Sequence, residues 1–470
     1  MKILLILPPD QYQIQSFVPK EVIAAGGFYP PLGLLYLASY LRKYTNFKTE
    51  VMDARVERLS YESIRNIIKD KQPDIVGIQT LTHTFVDALM TAKMAKEAKP
   101  DCHVTLGGHH TEIYPMETIA HPNIDSLVLG EGEVSFYKLC SAVAAGKSLE
   151  GIPGVVAKEN GKIVDGGPAV LIENLDELPF PAIDLVPWHK YTNIMEPGKL
   201  ITTILASRGC PYRCAFCAEA GIKFRWRNVK FIVDEMQAYQ AIGINDFFFF
   251  DDTFTAHRNQ VITLCEEIMR RKMAISFDIR ARVNNVDRDI LALLKKAGCR
   301  RIQFGVETGS EEILKEINKG ITLDAALKAF RLAKEAGFVT FADFMIGNPK
   351  ETKEHIKLTM EFARKLDPDY IQCTVFTPLP NTELYERGMR EGLFGDFWRE
   401  FTRNPSPNFR PAIWNEYLTR EDMDRFITTA YKAFYFRPGF LWHNFKRIRS
   451  FKGLMEKTRA AFKLMQIKGL

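Results

Sequence analysis

Short apolar runs alternate along the chain with longer stretches in which apolar residues recur every three or four positions. The runs have the length of strands, and the recurring pattern is that of helices with one buried face. Residues 2–7, 50–53, 74–79, 104–106 and 124–129 read as strands, and 32–44, 61–71, 85–98 and 134–144 read as helices. Strands separated by helices predict a parallel sheet covered on both faces. The first 145 residues therefore read as an α/β domain of the doubly wound, Rossmann-like kind. Ligands of such sheets bind at the carboxyl ends of the strands. The loops to watch are 8–15, 80–84, 107–111 and 130–133.

The alternation breaks at residues 146–199, which read as a hairpin and linker. Apolar pieces at 154–157 and 162–164 flank Asn160-Gly161, a tight-turn pair. Pro179 and Pro181 exclude regular helix and central strand, so this part reads as an extended connector. Over 200–385 the alternation resumes, with strands predicted at 201–206, 246–250, 275–279, 301–304, 340–345 and 370–374. Helices are predicted at 261–272, 290–297, 325–336 and 355–366. Six strands, each feeding a helix or loop, predict a partial (β/α)6 barrel with its site at the carboxyl ends of the strands.

Residues 386–470 read as a helical C-terminal region, irregular over 396–411 and helical over 420–436. Its last stretch is basic: Lys446, Arg447, Arg449, Lys452, Lys457, Arg459, Lys463 and Lys468 alternate with apolar residues. Such a helix can lie on an anionic membrane or dock on the barrel as a solvated helix.

Composition narrows the classes. A chain of 470 residues with 46% apolar residues can bury more than one core. The net charge of +6 is mild, and no nucleic-acid partner is expected from it. Eight cysteines in so long a chain are not a disulfide framework, and a cytoplasmic, reducing setting is expected. The opening apolar run stops at Pro8-Pro9, too short for an export signal or a membrane span.

The chemistry concentrates in Ser207-Arg208-Gly209-Cys210-Pro211-Tyr212-Arg213-Cys214-Ala215-Phe216-Cys217. Three thiolates at this spacing can hold three corners of an iron–sulfur cube, leaving one iron without a protein ligand. A structural zinc site would want a second Cys-x-x-Cys or histidines at metal spacing, and none follows.

This loop resembles that of the radical S-adenosylmethionine (SAM) enzymes, and the resemblance runs over about residues 200–380. It implies a 4Fe–4S cluster on Cys210, Cys214 and Cys217, whose open iron chelates SAM and whose electron releases a 5′-deoxyadenosyl radical. It further implies SAM contacts at Phe216, at Asp251 and Asp252 after the Phe247–Phe250 run, at Arg280 in preference to Arg282, at Glu307 of Gly305-Val306-Glu307-Thr308, and at the backbone of Ile346. Ser310 is a helix cap by its residue type.

The first domain resembles the cobalamin-binding domain that precedes the barrel in many of these enzymes. The resemblance rests on Tyr29-Pro30-Pro31-Leu32-Gly33-Leu34, Gly107-Gly108-His109-His110 and Gly130-Glu131-Gly132-Glu133. It implies cobalamin contacts at Pro9, Gln11, Tyr12, Thr80, Thr82, Gly107, Gly108, His109, Gly130, Glu131 and Gly132, with His83 and His110 further candidates. The cobalt-ligating Asp-x-His-x-x-Gly of classical cobalamin domains is absent: Asp10-Gln11-Tyr12 carries no histidine. A nicotinamide site is the alternative, with Asp53 as ribose acid, but Pro8-Pro9-Asp10 cannot make its glycine turn.

The combined resemblance implies methyl transfer from cobalamin to an unactivated carbon of a small-molecule or lipid substrate, with a flavodoxin or ferredoxin as electron donor. A cyclase or rearrangement enzyme without methyl transfer, and a corrinoid-binding module without catalysis, stay open. The methylthiolating relatives that act on nucleic acid carry extra cluster cysteines upstream and a terminal RNA-binding domain, and neither is present.

Overall fold

A computed structural model describes residues 1–14, 27–193, 198–414, 416–437 and 440. The basic stretch 446–468 lies outside the described residues. The strands are β1 (Lys2–Leu7), β2 (Lys48–Asp53), β3 (Ile75–Gln79), β4 (His103–Gly107), β5 (Ser126–Val128), β6 (Val155–Glu159) and β7 (Lys162–Asp165), followed by β8 (Ile201–Ile204), β9 (Ser207–Arg208), β10 (Arg225–Trp226), β11 (Asp246–Phe249), β12 (Ser276–Ala281), β13 (Cys299–Glu307), β14 (Val339–Ile346) and β15 (Tyr370–Val375). The chain divides into two compact units.

The first unit takes in the first strand, Phe28–Thr192 and Asp396–Pro411. Its sheet has the order β2-β1-β3-β4-β5-β6-β7. The first five strands are parallel, and their order reverses direction at β1/β3. Open α/β sheets bind ligands at such a switch point. The hairpin around Asn160-Gly161 is not a separate connector: β6 pairs antiparallel with β5 and widens the sheet. The proline-rich stretch after it is tied to the same unit. Ala182 N donates to the Leu35 carbonyl at 3.2 Å, and the Tyr191 hydroxyl donates to buried Asp53 at 2.7 Å. Asp53 also accepts from Arg55 N and Val56 N, so it caps a turn.

Residues 396–411, expected to be irregular, contain the helix Phe397–Arg403. Asp396 caps it and accepts a 2.7 Å bond from the Tyr114 hydroxyl. Glu117 pairs with Arg399 and Arg403, and Phe401 packs 6.1 Å from Phe85. Partners far away in sequence thus order a segment whose local pattern is weak.

In the second unit six parallel strands lie in the order β15-β14-β13-β12-β11-β8. Burial alternates residue by residue along β15, along β13 from Ile302 and along β14 as far as Phe344. One face (Ile302, Phe304, Val306, Ala342, Ile371, Cys373) is buried; Phe304, for one, packs 5.1 Å from Phe330 of the helix Leu323–Glu335. The other face carries Arg301, Gln303, Glu307, Asp343 and Gln372 and stays partly accessible. A parallel strand buried on both faces would read as a continuous apolar run, so polar residues here mark a face reserved for ligand.

The edge strand β15 is closed by the helix Arg420–Tyr435. The Tyr431 hydroxyl accepts from Cys373 N at 3.0 Å and donates to Cys373 O at 3.2 Å. The Tyr435 hydroxyl does the same for Ile371 at 3.1 and 3.0 Å. The two rings stack 6.2 Å apart and stand in for a neighbouring strand. Replacing both tyrosines by phenylalanine leaves these strand groups unpaired. The expected loss is about 1–3 kcal/mol per hydroxyl in denaturant unfolding, and an unchanged midpoint would contradict this reading.

Candidate functional site

The cysteine loop leaves β8 through Leu205-Ala206-Ser207, and two buried charges hold that stretch. Arg227 donates to the Leu205 carbonyl at 2.7 Å and pairs with Glu235 at 2.6 Å, both side chains being almost wholly buried. From the other side Asp251 accepts from Ala206 N at 3.2 Å and from the Ser207 hydroxyl. β9 and β10 pair antiparallel and close the loop at its base. At its far end Ala215 N donates to Ile317 O, Leu384 N donates to Ala215 O, and Asn318 Nδ2 donates to Arg213 O.

Of the three cysteines, Cys214 is buried and Cys210 and Cys217 are half-buried. Burial pushes the Cys217 thiol up to about 11, with Cys214 and Cys210 adding to it. Burial also raises Cys210, with Asp252 and Cys214 contributing. A coordinating metal deprotonates a thiol outright, so cations bound here would offset the burial that raises Cys210 and Cys217. Among the described residues no group of three or more His, Cys, Asp or Glu is placed to hold a single metal ion.

The structure separates the residues expected to meet SAM. Asp251 is 1% exposed and bonded to the loop backbone, so it lies behind the loop as an anchor. Asp252 is exposed. Arg280 lies on the accessible face, over the rings of Phe248 and Phe250 at 5.1 and 4.7 Å. Ile346 turns its side chain away from that face, toward the helices Lys353–Leu366 and Arg420–Tyr435. Its carbonyl accepts from Phe376 N at 2.7 Å. Phe216 and Glu307 are brought together by Lys319, whose Nζ lies 2.6 Å from Glu307 Oε1 and 5.7 Å over the Phe216 ring.

Glu307 has φ of 70° and sits at a register shift in β13. A non-glycine residue held there is strained, as functional positions often are. Gly305 makes the room: a Cβ at that position would lie 2.6 Å from Glu307 Oε1 and 2.8 Å from Lys319 Nζ. Ser310 caps the helix Glu311–Glu316 as its residue type predicts.

Sequence reasoning missed several neighbours. Asp343, on the accessible face of β14, accepts two bonds from Gln303 Nε2 at 3.0 and 2.9 Å. Burial, with the nearby charge of Glu307, pushes its carboxyl up to about 7. An aspartate inside the apolar run 340–345 was the available signal. Glu351 accepts from Gly347 N and Asn348 N and holds the turn after β14; burial pushes it up to about 7. Lys319 gave no signal, because it meets Glu307 only through the fold.

In the first unit the loops after β1, β3 and β4 interlock. Ile14 N donates to His83 O at 2.8 Å, and Thr80 N donates to Gly107 O at 2.7 Å. Gly108, with φ of 120°, presses so close that a Cβ would lie 2.6 Å from Thr80 O. Tyr12 has its N–H on Asp87 at 3.0 Å and its ring stacked 6.0 Å from Tyr61, which also bonds Asp87. Pro9 and Thr80 are buried, while Gln11, His109 and Gly130 are exposed. The Thr80 hydroxyl donates to Ile78 O, and Glu131 accepts from Ile172 N at 3.0 Å. Gly132 opens the helix Gly132–Ala144. Of the paired histidines, it is His110 that is buried, with Nδ1 3.2 Å from the Thr82 hydroxyl and Nε2 unbonded. Burial, with His121 and His83 adding, pushes it down to about 3, so the ring is neutral.

Residues 204–363 match the family model of the radical SAM superfamily, and 21–139 match that of the B12 binding domain. The chain is 37% identical to an uncharacterized methyltransferase of Pyrococcus horikoshii, over 97% of this chain and 98% of that protein. It is 30% identical to the anaerobic magnesium-protoporphyrin IX monomethyl ester cyclase of Rubrivivax gelatinosus, over 90% and 76%. Among solved structures, the cobalamin-dependent SAM radical enzyme OxsB, with aqua-cobalamin and SAM bound, superposes with a TM-score of 0.74 at 18% identity, covering 99% of this chain and 72% of that one. The chain belongs to the cobalamin-binding radical SAM enzymes.

The residues present fit the groups that this family carries. Three free cysteines on a loop held from behind suit a 4Fe–4S cluster. A polar face beside the loop, with Arg280 and the Glu307–Lys319 pair, suits SAM. The first unit offers buried, unbonded Gln79 Oε1 and His110 Nε2 near its switch point, which suits a corrinoid rimmed with amides.

Two outcomes follow from this geometry. Asp251→Ala removes the acceptor for Ala206 N and Ser207, at a cost on the order of 3 kcal/mol. Iron and sulfide content after anaerobic reconstitution should fall, and a full cluster in this variant would contradict the anchoring role. For Asp343, a carboxyl raised from its ordinary 3.8 to about 7 makes the folded protein bind the extra proton. Its contribution is therefore complete below about pH 4 and is lost as pH rises through about 7. Asp343→Asn removes that loss, so its melting temperature relative to the parent should be higher at pH 8 than at pH 5. Equal differences at both pH values would contradict the assignment.

Proposed function

We propose that this enzyme transfers a methyl group from cobalamin to an unactivated carbon of a small molecule. The observation that carries the reading is the anchored Cys210-Cys214-Cys217 loop at the carboxyl end of β8, beside the Glu307–Lys319 pair. When bound, the cluster and SAM supply a hydrogen-abstracting radical, and cobalamin supplies the methyl group.

The protein's own residues bind and orient. Cys210, Cys214 and Cys217 take the cluster. Arg280 faces the SAM carboxylate and Asp252 its amino group, while Glu307, fixed by Lys319, takes the ribose and Phe216 packs beside it. In the first unit Pro9, Gln11, Tyr12, Thr80, Thr82, Gly107, Gly108 and His109 line the corrinoid's loops, with His110 a neutral contact. Tyr12, held by Asp87, occupies the loop in which classical cobalamin domains carry a cobalt-ligating histidine. The electron comes from a flavodoxin or ferredoxin.

A cyclase that uses the same cofactors is the second reading, supported by the 30% identity to the magnesium-porphyrin cyclase. Among the described residues no helix is long and apolar enough to cross a membrane. A lipid substrate met through the basic residues 446–468 would be a refinement of either reading.

Protein prepared anaerobically with cobalamin supplied should hold about one corrinoid per chain and form 5′-deoxyadenosine from SAM on reduction. Cys214→Ala should abolish deoxyadenosine formation and leave the corrinoid content unchanged. Formation at the parent rate in Cys214→Ala would overturn the assignment of the loop.

A further inference from the structure

Arg282 follows Arg280 by two residues, and the loop engages it closely. Its side chain is 6% exposed, and Nη1 donates to Cys214 Sγ at 3.5 Å. Nη2 donates to the carbonyl of Lys319, the residue whose Nζ fixes Glu307. The flat face of the guanidinium lies 4.0 Å from the ring centre of Tyr212, within the same loop. Asn285 in turn bonds the Tyr212 hydroxyl and the Thr255 carbonyl. Packing on one side and hydrogen bonds at two nitrogens leave the group little freedom to move.

Among the described residues, no carboxylate pairs with Arg282. A buried guanidinium without a counter-charge is expensive. The anion within its reach is the Cys214 thiolate, as it exists when that sulfur binds iron. Hydrogen bonds and fixed charges at cluster sulfurs set the reduction potentials of iron–sulfur centres.

Resting on the reading that these cysteines carry the cluster, we propose that Arg282 is a positioning and electrostatic residue: it aims the Cys214 thiolate and makes the cluster easier to reduce. Reduction adds one electron, taken from an external low-potential one-electron donor that is itself oxidised by one electron. No bond forms or breaks and no proton moves, so the site simply becomes more negative by one charge. A fixed cation beside it stabilises that more negative form. Because Arg282 also holds the Lys319 carbonyl, the same side chain keeps the cluster corner in register with Glu307.

The test is a redox titration of the full-length, reconstituted protein in the absence of SAM, with dithionite as reductant and electron paramagnetic resonance as readout. The parent comes first: if it takes up no iron–sulfur cluster, the reading beneath the proposal fails, and the proposal with it. Given a cluster in the parent, Arg282→Gln is expected to shift the midpoint to more negative potential, and Arg282→Lys, which keeps the charge, to stay near the parent. Arg282→Gln at the parent's midpoint with full iron content overturns the proposal. If Arg282→Gln takes up no cluster and Arg282→Lys does, charge is required at that place and the proposal stands. If neither takes up a cluster, the site needs the shape of arginine rather than its charge, and the proposal falls.

Discussion

A loop that offers three thiolates to a cluster has to be held in place by something other than the cluster. Here the holding is done by buried charges. Arg227, paired with Glu235, clamps the Leu205 carbonyl, and Asp251 takes Ala206 N and the Ser207 hydroxyl. Breaking such a buried pair costs more than any surface contact in the molecule, about 3–5 kcal/mol when one partner is removed. Arg227 is met by Glu235 and the Leu205 carbonyl, and Asp251 by the loop's own donors. Folding and site construction are therefore the same event at this point of the chain.

From that anchor the polar contacts run in one direction. Arg282 reaches Cys214 and the Lys319 carbonyl, and Lys319 reaches Glu307 across the bulge that Gly305 permits. Beyond Glu307 lies Asp343, its carboxyl raised by burial and by that neighbour. These residues belong to the cysteine loop, the segment just after β12, the strands β13 and β14, and the turn after the helix Glu311–Glu316, which lie far apart in sequence. The opposite face of the same strands is apolar and packs on helices. One sheet thus keeps its stability and its chemistry on separate faces.

Much of the architecture was legible in the sequence, because strand and helix periods are local. The strand Lys2–Leu7 and the helices Leu32–Tyr44, Tyr61–Lys71 and Phe85–Ala98 fall where the pattern puts them. Phe397–Arg403 was not legible, since its order comes from Tyr114, Glu117 and Phe85. The pairing of β6 with β5 is a tertiary fact of the same kind. At the site, the cysteine spacing was legible and the neighbours were not. Asp251 and Asp252 look equivalent in sequence, yet one is buried behind the loop and the other exposed. Arg280 lies on β12 and Arg282 just beyond its end, and the second is drawn to Cys214 on a loop more than sixty residues earlier.

The central claim is that the two units serve one methyl transfer. The most direct test supplies SAM labelled in its methyl group to the reduced, cobalamin-loaded protein and follows the label. The account predicts that label appears on the bound corrinoid, with 5′-deoxyadenosine formed in the same protein under reduction. Deoxyadenosine formation with an intact cluster and bound corrinoid, but no label on the corrinoid, would contradict methyl transfer and favour the cyclase reading.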